Sequence, residues 1–194
     1  MTNEPEWLLF LPHVPSHPSS LRVTVWRRLR TAGAARIQTS VWALPHTPEH
    51  EALVNNLLGE LAPQGGSALL LLAAPLTPEI NRTIVEQFRR DRDEEYDEVL
   101  ERCADFLVEI VKETDKQKFT FAELEENEVD LRKLESWLDT IRTRDFFGGY
   151  SAEAAQAALE RCRTAFDGFA EAVYTHEGVN DDTPTPGESG NEHD

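Results

Sequence analysis

"EWLLFLPHVPSHPSSLRVTVWRRLRTAGAARIQTSVWALP", residues 6–45, switches from one hydrophobic periodicity to another and back, and that switching decides the fold class. Residues 6–14 form a short aromatic and aliphatic run ended by Pro12 and Pro15, which reads as a buried strand. Ser19 or Ser20 can then cap a helix reaching about Thr31, with Leu21, Val25, Leu29 and Ala32 as its inward stripe and Gly33 as its stop. "ARIQTSVWALP" reads as one second strand, closed by Pro45.

The same alternation continues outward. "TPEHEALVNNLLGELAPQGG" predicts a second helix capped by Thr47, with Pro48 in its first turn and Glu49 and Glu51 near the positive end of the helix dipole. "SALLLLAAP", residues 67–75, is apolar on both faces and predicts a strand central in a sheet covered on both sides or deeply packed on one. From Pro78 the period becomes helical and stays so. Thr77 caps a helix more than thirty residues long carrying Ile80, Ile84, Phe88, Val99, Cys103, Phe106 and Ile110. Thr120 caps a second, with Leu124, Leu131, Leu134, Leu138 and Ile141 inward and Gly148 and Gly149 as its stop. A third starts at Ser151, with Ala155, Leu159, Cys162, Phe166 and Phe169 inward. The expected architecture is α+β: a small sheet layer over residues 6–76, a layer of three helices over 78–175 packed on it as one domain, and an acidic tail, 176–194, without apolar anchors and read as disordered.

Composition sets the limits. The net charge is −17, which as a total argues against phosphate binding. Yet residues 7–90 carry eight Lys/Arg against five Asp/Glu, and residues 91–194 carry eleven against twenty-nine. A mildly basic front therefore precedes a strongly acidic back, compatible with an anion-binding face on the first half. The two cysteines, Cys103 and Cys162, lie on apolar stripes and read as small core residues, and no leader pattern opens the chain, so a reduced, cytoplasmic setting is expected. No apolar run is long enough to cross a bilayer as a helix.

Within residues 88–107, "FRRDRDEEYDEVLERCADFL", Phe88, Val99, Cys103 and Phe106 share one side of the wheel, and Arg92 and Glu95 fall on that side as well. This segment, "LRVTVWRRLRTAGAARIQTSVWALP" and "FAELEENEVDLRKLESWLDTIRTRDFFG" together resemble the N-terminal domain of the ChrB family of chromate-resistance regulators, over roughly residues 6–175. The first half is also similar, more loosely, to the α+β domain of PaaX-type repressors. The resemblance implies a ferredoxin-like layout and a part in a chromate-responsive transcriptional regulator. In that family a second, chromate-related domain follows. This chain ends in an acidic tail instead, so the second domain's contribution to sensing is expected to be absent.

Two groups of residues are candidate sites. Arg27 and Arg30 point outward from the first helix, and Arg28 and Arg36 lie near its edge; four arginines around one short helix can contact DNA phosphates or another anion. The plainer reading is a solvated helix face paired with the acidic half. Arg22, Arg92, Glu95 and Tyr96 form the second group, read either as a polar cluster whose arginine forks would suit a tetrahedral oxyanion or as a solvated stretch of the long helix. His46 and His50 stand four apart, but Pro48 intervenes and no metal site is assigned. No nucleophile, phosphate-loop or paired-carboxylate motif is present, so a non-catalytic protein without a cofactor is expected. The partners left open are promoter DNA, a chromate-related partner domain and a second copy of the chain, with no membrane. The competing function is an acidic protein-interaction module working through residues 94–145.

Overall fold

The computed structural model describes residues 6–17 and 19–178, so residues 179–194 of the expected tail lie outside it. The chain runs β1 (Trp7–His13), α1 (Ser19–Thr31), β2 (Ala35–Gln38), β3 (Val41–Pro45), α2 (Pro48–Leu61), β4 (Ser67–Ala73), α3 (Pro78–Asp115), α4 (Phe121–Arg142) and α5 (Ala152–His176). The four strands form an antiparallel sheet in the order β2-β3-β1-β4, the ferredoxin-like arrangement that a strand-helix-strand-strand-helix-strand chain adopts. The α+β class expected from the sequence is the one observed.

Three threonines cap helices as the sequence predicts. Thr47, Thr77 and Thr120 accept the backbone N–H groups of His50, Ile80 and Glu123 at 3.2, 3.4 and 3.3 Å, satisfying donors that a helix start otherwise leaves open. The long third helix is 38 residues, roughly 57 Å at 1.5 Å per residue. α5 continues through Thr175 and His176, where the tail was expected to begin.

Two strand readings are corrected. "ARIQTSVWALP" is a hairpin of β2 and β3, turning at Thr39 and Ser40 with an irregularity between Arg36 and Gln38. The turn contains neither Gly nor Asn; it is held by the Arg36 guanidinium, which donates to the Thr39 carbonyl oxygen at 3.1 and 2.7 Å. β4 lies at the sheet edge rather than the centre, and Leu69, Leu71 and Leu72 are exposed. Its two-sided apolar character reports side-chain type, while strand order is settled by which neighbours β1 and β3 take.

Alternation along β1 assigns its faces. Leu8 and Phe10 pack with Leu21, Val25 and Leu29 of α1 and Val54, Leu57 and Leu61 of α2. Trp7 and Leu9 point the other way and meet Phe88, Ile84 and Val85 of α3, with Phe147 from the α4–α5 loop. A third core joins the rest of α3 to α4 and α5 through Val99, Cys103, Leu138, Ile141, Leu159 and Cys162. α3 is thus shared: its first turns cover the sheet, and its remainder belongs to the helical layer.

The α4–α5 loop presses on the end of α1. Gly33 has φ +78°, and a Cβ built there would lie 2.8 Å from the Arg144 Cβ and 3.0 Å from the Arg144 carbonyl oxygen. Gly33→Ala is expected to cost about 1–3 kcal/mol, since it adds left-handed backbone strain to a steric clash. Gly168→Ala, in open space within α5, should instead raise stability by up to about 1 kcal/mol. Chemical unfolding of the two variants checks both signs.

Candidate functional site

Of the four arginines singled out around α1, the structure neutralises two. Arg28 is ion-paired with Glu60 of α2, and Arg30 reaches Glu95 of α3 at 3.4 Å while lying 5.9 Å from the Trp26 ring centroid. Arg27 and Arg36 are exposed and make no ion pair among the described residues. Arg22, assigned by sequence to the second group, belongs here. It is exposed on the first turn of α1 and donates to the Ser16 carbonyl oxygen at 3.3 Å.

Arg22 and Arg36 line a shallow groove of about 370 Å³ between α1 and the β2–β3 hairpin, with Trp26, Thr39, Ser40 and Trp42 among its walls and no carboxylate in its lining. The hairpin is what brings Arg36 opposite α1, so reading residues 35–45 as one strand concealed this juxtaposition.

Arg92 and Glu95 are buried, and so are Asp91 and Tyr96, so the long helix is not solvated between Phe88 and Val99. Glu95 receives three arginines: Arg92 from its own helix at 3.4 Å, Arg30 from α1 at 3.4 Å, and Arg144 from the α4–α5 loop at 3.0 Å. Arg144 takes the place that the sequence reading gave to Arg22. The closest signal for it was a basic residue in "RTRDFFGG", which names no partner. Tyr96 donates its hydroxyl to Asp145 at 3.0 Å, and the same carboxylate accepts the Gly149 backbone N–H at 2.9 Å. Burial, then that hydrogen bond, raises the Tyr96 pKa well above its ordinary value, so it stays a donor. Burial also raises the Asp91 carboxyl, opposed by the Gln87 amide at 2.7 Å.

Arg92 is the outlying member. Its side chain is 2% exposed, yet Nη1 and Nη2 have no hydrogen-bond partner in the protein: the 3.4 Å approach to Glu95 is close enough for attraction but lacks hydrogen-bond alignment. Burial lowers its pKa, and Glu95 acts in the opposite direction. None of the described cavities is lined by Arg92 or Glu95, whereas Tyr96 and Asp145 line one of about 630 Å³ with Arg142; the ion pairs of Glu95 join α1, α3 and the α4–α5 loop.

Elsewhere, His46 faces Glu6 and Glu51, while the His50 ring lies 2.7 Å from the Pro45 carbonyl oxygen and packs edge-on against Phe146. The two histidines therefore turn to different neighbours. Cys103 and Cys162 are buried and reduced, and burial pushes the Cys162 thiol up to about 12, which keeps it un-ionised. A larger groove, about 690 Å³, runs between α3 and α4 beside Trp137. It contains the buried Glu113, which accepts from Asn127 Nδ2 at 2.6 Å and whose carboxyl is raised by burial beside Glu123. Among the described residues no cluster of His, Cys, Asp or Glu could hold a metal ion, and no helix is long and apolar enough to cross a membrane.

These features define an α+β protein with a ferredoxin-like sheet strapped to a helical layer, whose candidate sites are arginine-bearing surfaces. The family described as Protein ChrB, N-terminal, matches residues 22–180, and the chain belongs to it. Protein ChrB of Cupriavidus metallidurans is 23% identical over 166 residues, a match covering 84% of this chain and 47% of that protein. The chain thus spans about half the length of that curated relative.

Glu95→Ala should cost about 3–5 kcal/mol, because it leaves arginines under-compensated in a buried setting. Arg144→Ala combined with Glu95→Ala should cost less than the sum of the two single changes. Arg22→Ala should cost about 0.5 kcal/mol or less and add simply to Glu95→Ala. Denaturant unfolding of the single and double variants gives these couplings.

A pH effect follows from Glu113. Its folded-state pKa lies above the ordinary 4.5, so the folded chain retains a proton that the unfolded chain releases. That contribution is complete below the ordinary value and is lost as pH rises through the raised one. Glu113→Gln should flatten this decline in thermal stability, while leaving stability at lower pH close to wild type.

Proposed function

We propose that this chain is a non-catalytic regulatory module that contacts DNA phosphates through α1 and the β2–β3 hairpin. The observation that supports this most is the groove holding Arg22 and Arg36 without a carboxylate, in a chain whose net charge is −17. Arginine forks suit phosphate oxygens, and the half-exposed Trp26 offers a flat apolar surface beside them. Arg27 is exposed on the same helix but does not line the groove. Arg28 and Arg30 contribute less, since Glu60 and Glu95 already hold them. A link to chromate resistance rests on family resemblance alone, and the relative that carries the name is about twice as long as this chain.

A second reading, an acidic module that binds a separately encoded protein, is favoured by the groove beside Trp137 and by the excess of carboxylates on α3 to α5. That surface would repel DNA, which limits any nucleic-acid contact to the sheet layer.

Retardation of DNA carrying the chain's own upstream region separates the two readings. Binding should weaken steeply with salt, and each of Arg22→Ala and Arg36→Ala should lower the slope of log K against log salt by about one unit. Arg28→Ala should change it little. Absence of any retardation at low salt would reject the DNA reading in favour of the protein-interaction module.

A further inference from the structure

β4 has the features of a strand awaiting a partner. It is an edge strand, yet its register with β1 runs without irregularity from Trp7 opposite Ala73 to His13 opposite Ser67. Edge strands are ordinarily protected by charge, proline or a bulge, and β4 contains none of these. Leu69, Leu71 and Leu72 are 63%, 48% and 55% exposed, and Leu76 and Ile80 extend the apolar surface past the strand. From Leu61 to Pro78, eighteen consecutive residues carry no ionisable side chain.

We propose that β4 is the seam of a symmetric homodimer, in which two copies pair antiparallel to form a continuous eight-stranded sheet. Charge identifies the partner. Two copies each bearing −17 repel over most approaches, and this uncharged stretch is where they can meet without like charges opposed. A basic partner would be drawn instead to the acidic surface of α3 to α5. The strand is also complementary to itself: a two-fold axis at Leu70 sets Leu69 opposite Leu71 of the copy and Ala68 opposite Leu72, giving apolar cross-strand pairs on both faces.

The sheet order leaves the arginine groove free in each copy, because β2 and β4 occupy opposite edges. Seven strand spacings of about 4.8 Å would separate the two β2 strands, roughly 34 Å measured across the sheet. That is on the order of one turn of B-DNA, the separation at which dimeric regulators place their half-sites. This last step rests on the DNA reading above, whereas the seam itself does not.

Sedimentation equilibrium of the full chain over a range of concentrations tests the seam. Wild type should dimerise. A Leu69→Lys/Leu71→Lys variant should dimerise roughly tenfold or more weakly, because like charges then stand opposite across the seam. A Leu69→Glu/Leu71→Glu variant should behave likewise, and mixing the two should restore a heterodimer, which misfolded variants would not do. Val108→Lys/Val111→Lys, on an exposed face of α3, should leave association unchanged. A wild type that stays monomeric, or dimers indifferent to the charged pairs and not rescued by mixing, would overturn the proposal. The Arg22 and Arg36 salt slopes are read separately, so a failed seam leaves the DNA reading standing and a failed DNA assay leaves the seam standing.

Discussion

Glu95 is the residue on which the relation between the two layers turns. One carboxylate, nearly removed from solvent, meets arginines from α1, from its own helix and from the α4–α5 loop. An isolated buried carboxylate would be costly, and so would Arg92 or Arg144 alone, so these charges are tolerable because the others are present, while the partly exposed Arg30 closes the cluster from the solvent side. Such a cluster adds little net stability compared with an apolar core of the same volume. What it adds is discrimination, because a sheet layer docked elsewhere on the helices would leave several charges buried and unpaired.

The α4–α5 loop completes that joint with contacts of a different kind. Phe147 meets Trp7 at a tilt and Phe88 edge-on, Phe146 packs against His50 and Phe88, and Asp145 collects the Tyr96 hydroxyl and the Gly149 backbone N–H. Arg89 of α3 donates to the Phe147 carbonyl oxygen at 3.2 Å, which holds the loop along the long helix. Gly33 is required because Arg144 passes where a side chain would stand. A loop of nine residues therefore carries an aromatic contact to the sheet and hydrogen-bonding and ionic contacts to α3 at once, and its position follows from all three.

The same joint explains how a strongly acidic chain can keep a basic surface. Arg28 and Arg30 are spent internally on Glu60 and Glu95, while Arg22, Arg27 and Arg36 remain at the surface on the side of the sheet layer where few carboxylates lie. The acidic excess is carried by α3 to α5, where many carboxylates find lysine or arginine three or four residues away, as Glu109 does with Lys112 and Asp130 with Lys133. Net charge alone would have hidden this division, and charge counted along the chain revealed it.

Local chemistry determined much of this protein before any tertiary contact was considered. Thr47, Thr77 and Thr120 cap their helices because a threonine side chain accepts an N–H three residues ahead, and most of the stripes of α3, α4 and α5 is turned inward because helical spacing puts it on one side, Ile80 in the first turn of α3 being the exposed exception. The presence of Arg92 and Glu95 on the apolar side of α3 was legible for the same reason. Their partners were not: Arg30 is 65 residues from Glu95 and Arg144 is 49, and no spacing rule connects positions that meet only when two layers dock. The turn at Thr39 and Ser40 was missed because it is held by an arginine side chain rather than by a glycine or asparagine. β4 was placed at the centre because hydropathy records how apolar a strand is and carries no information about which strand lies beside it; in the folded chain β1 takes β3 on one side and β4 on the other, which leaves β4 at the edge.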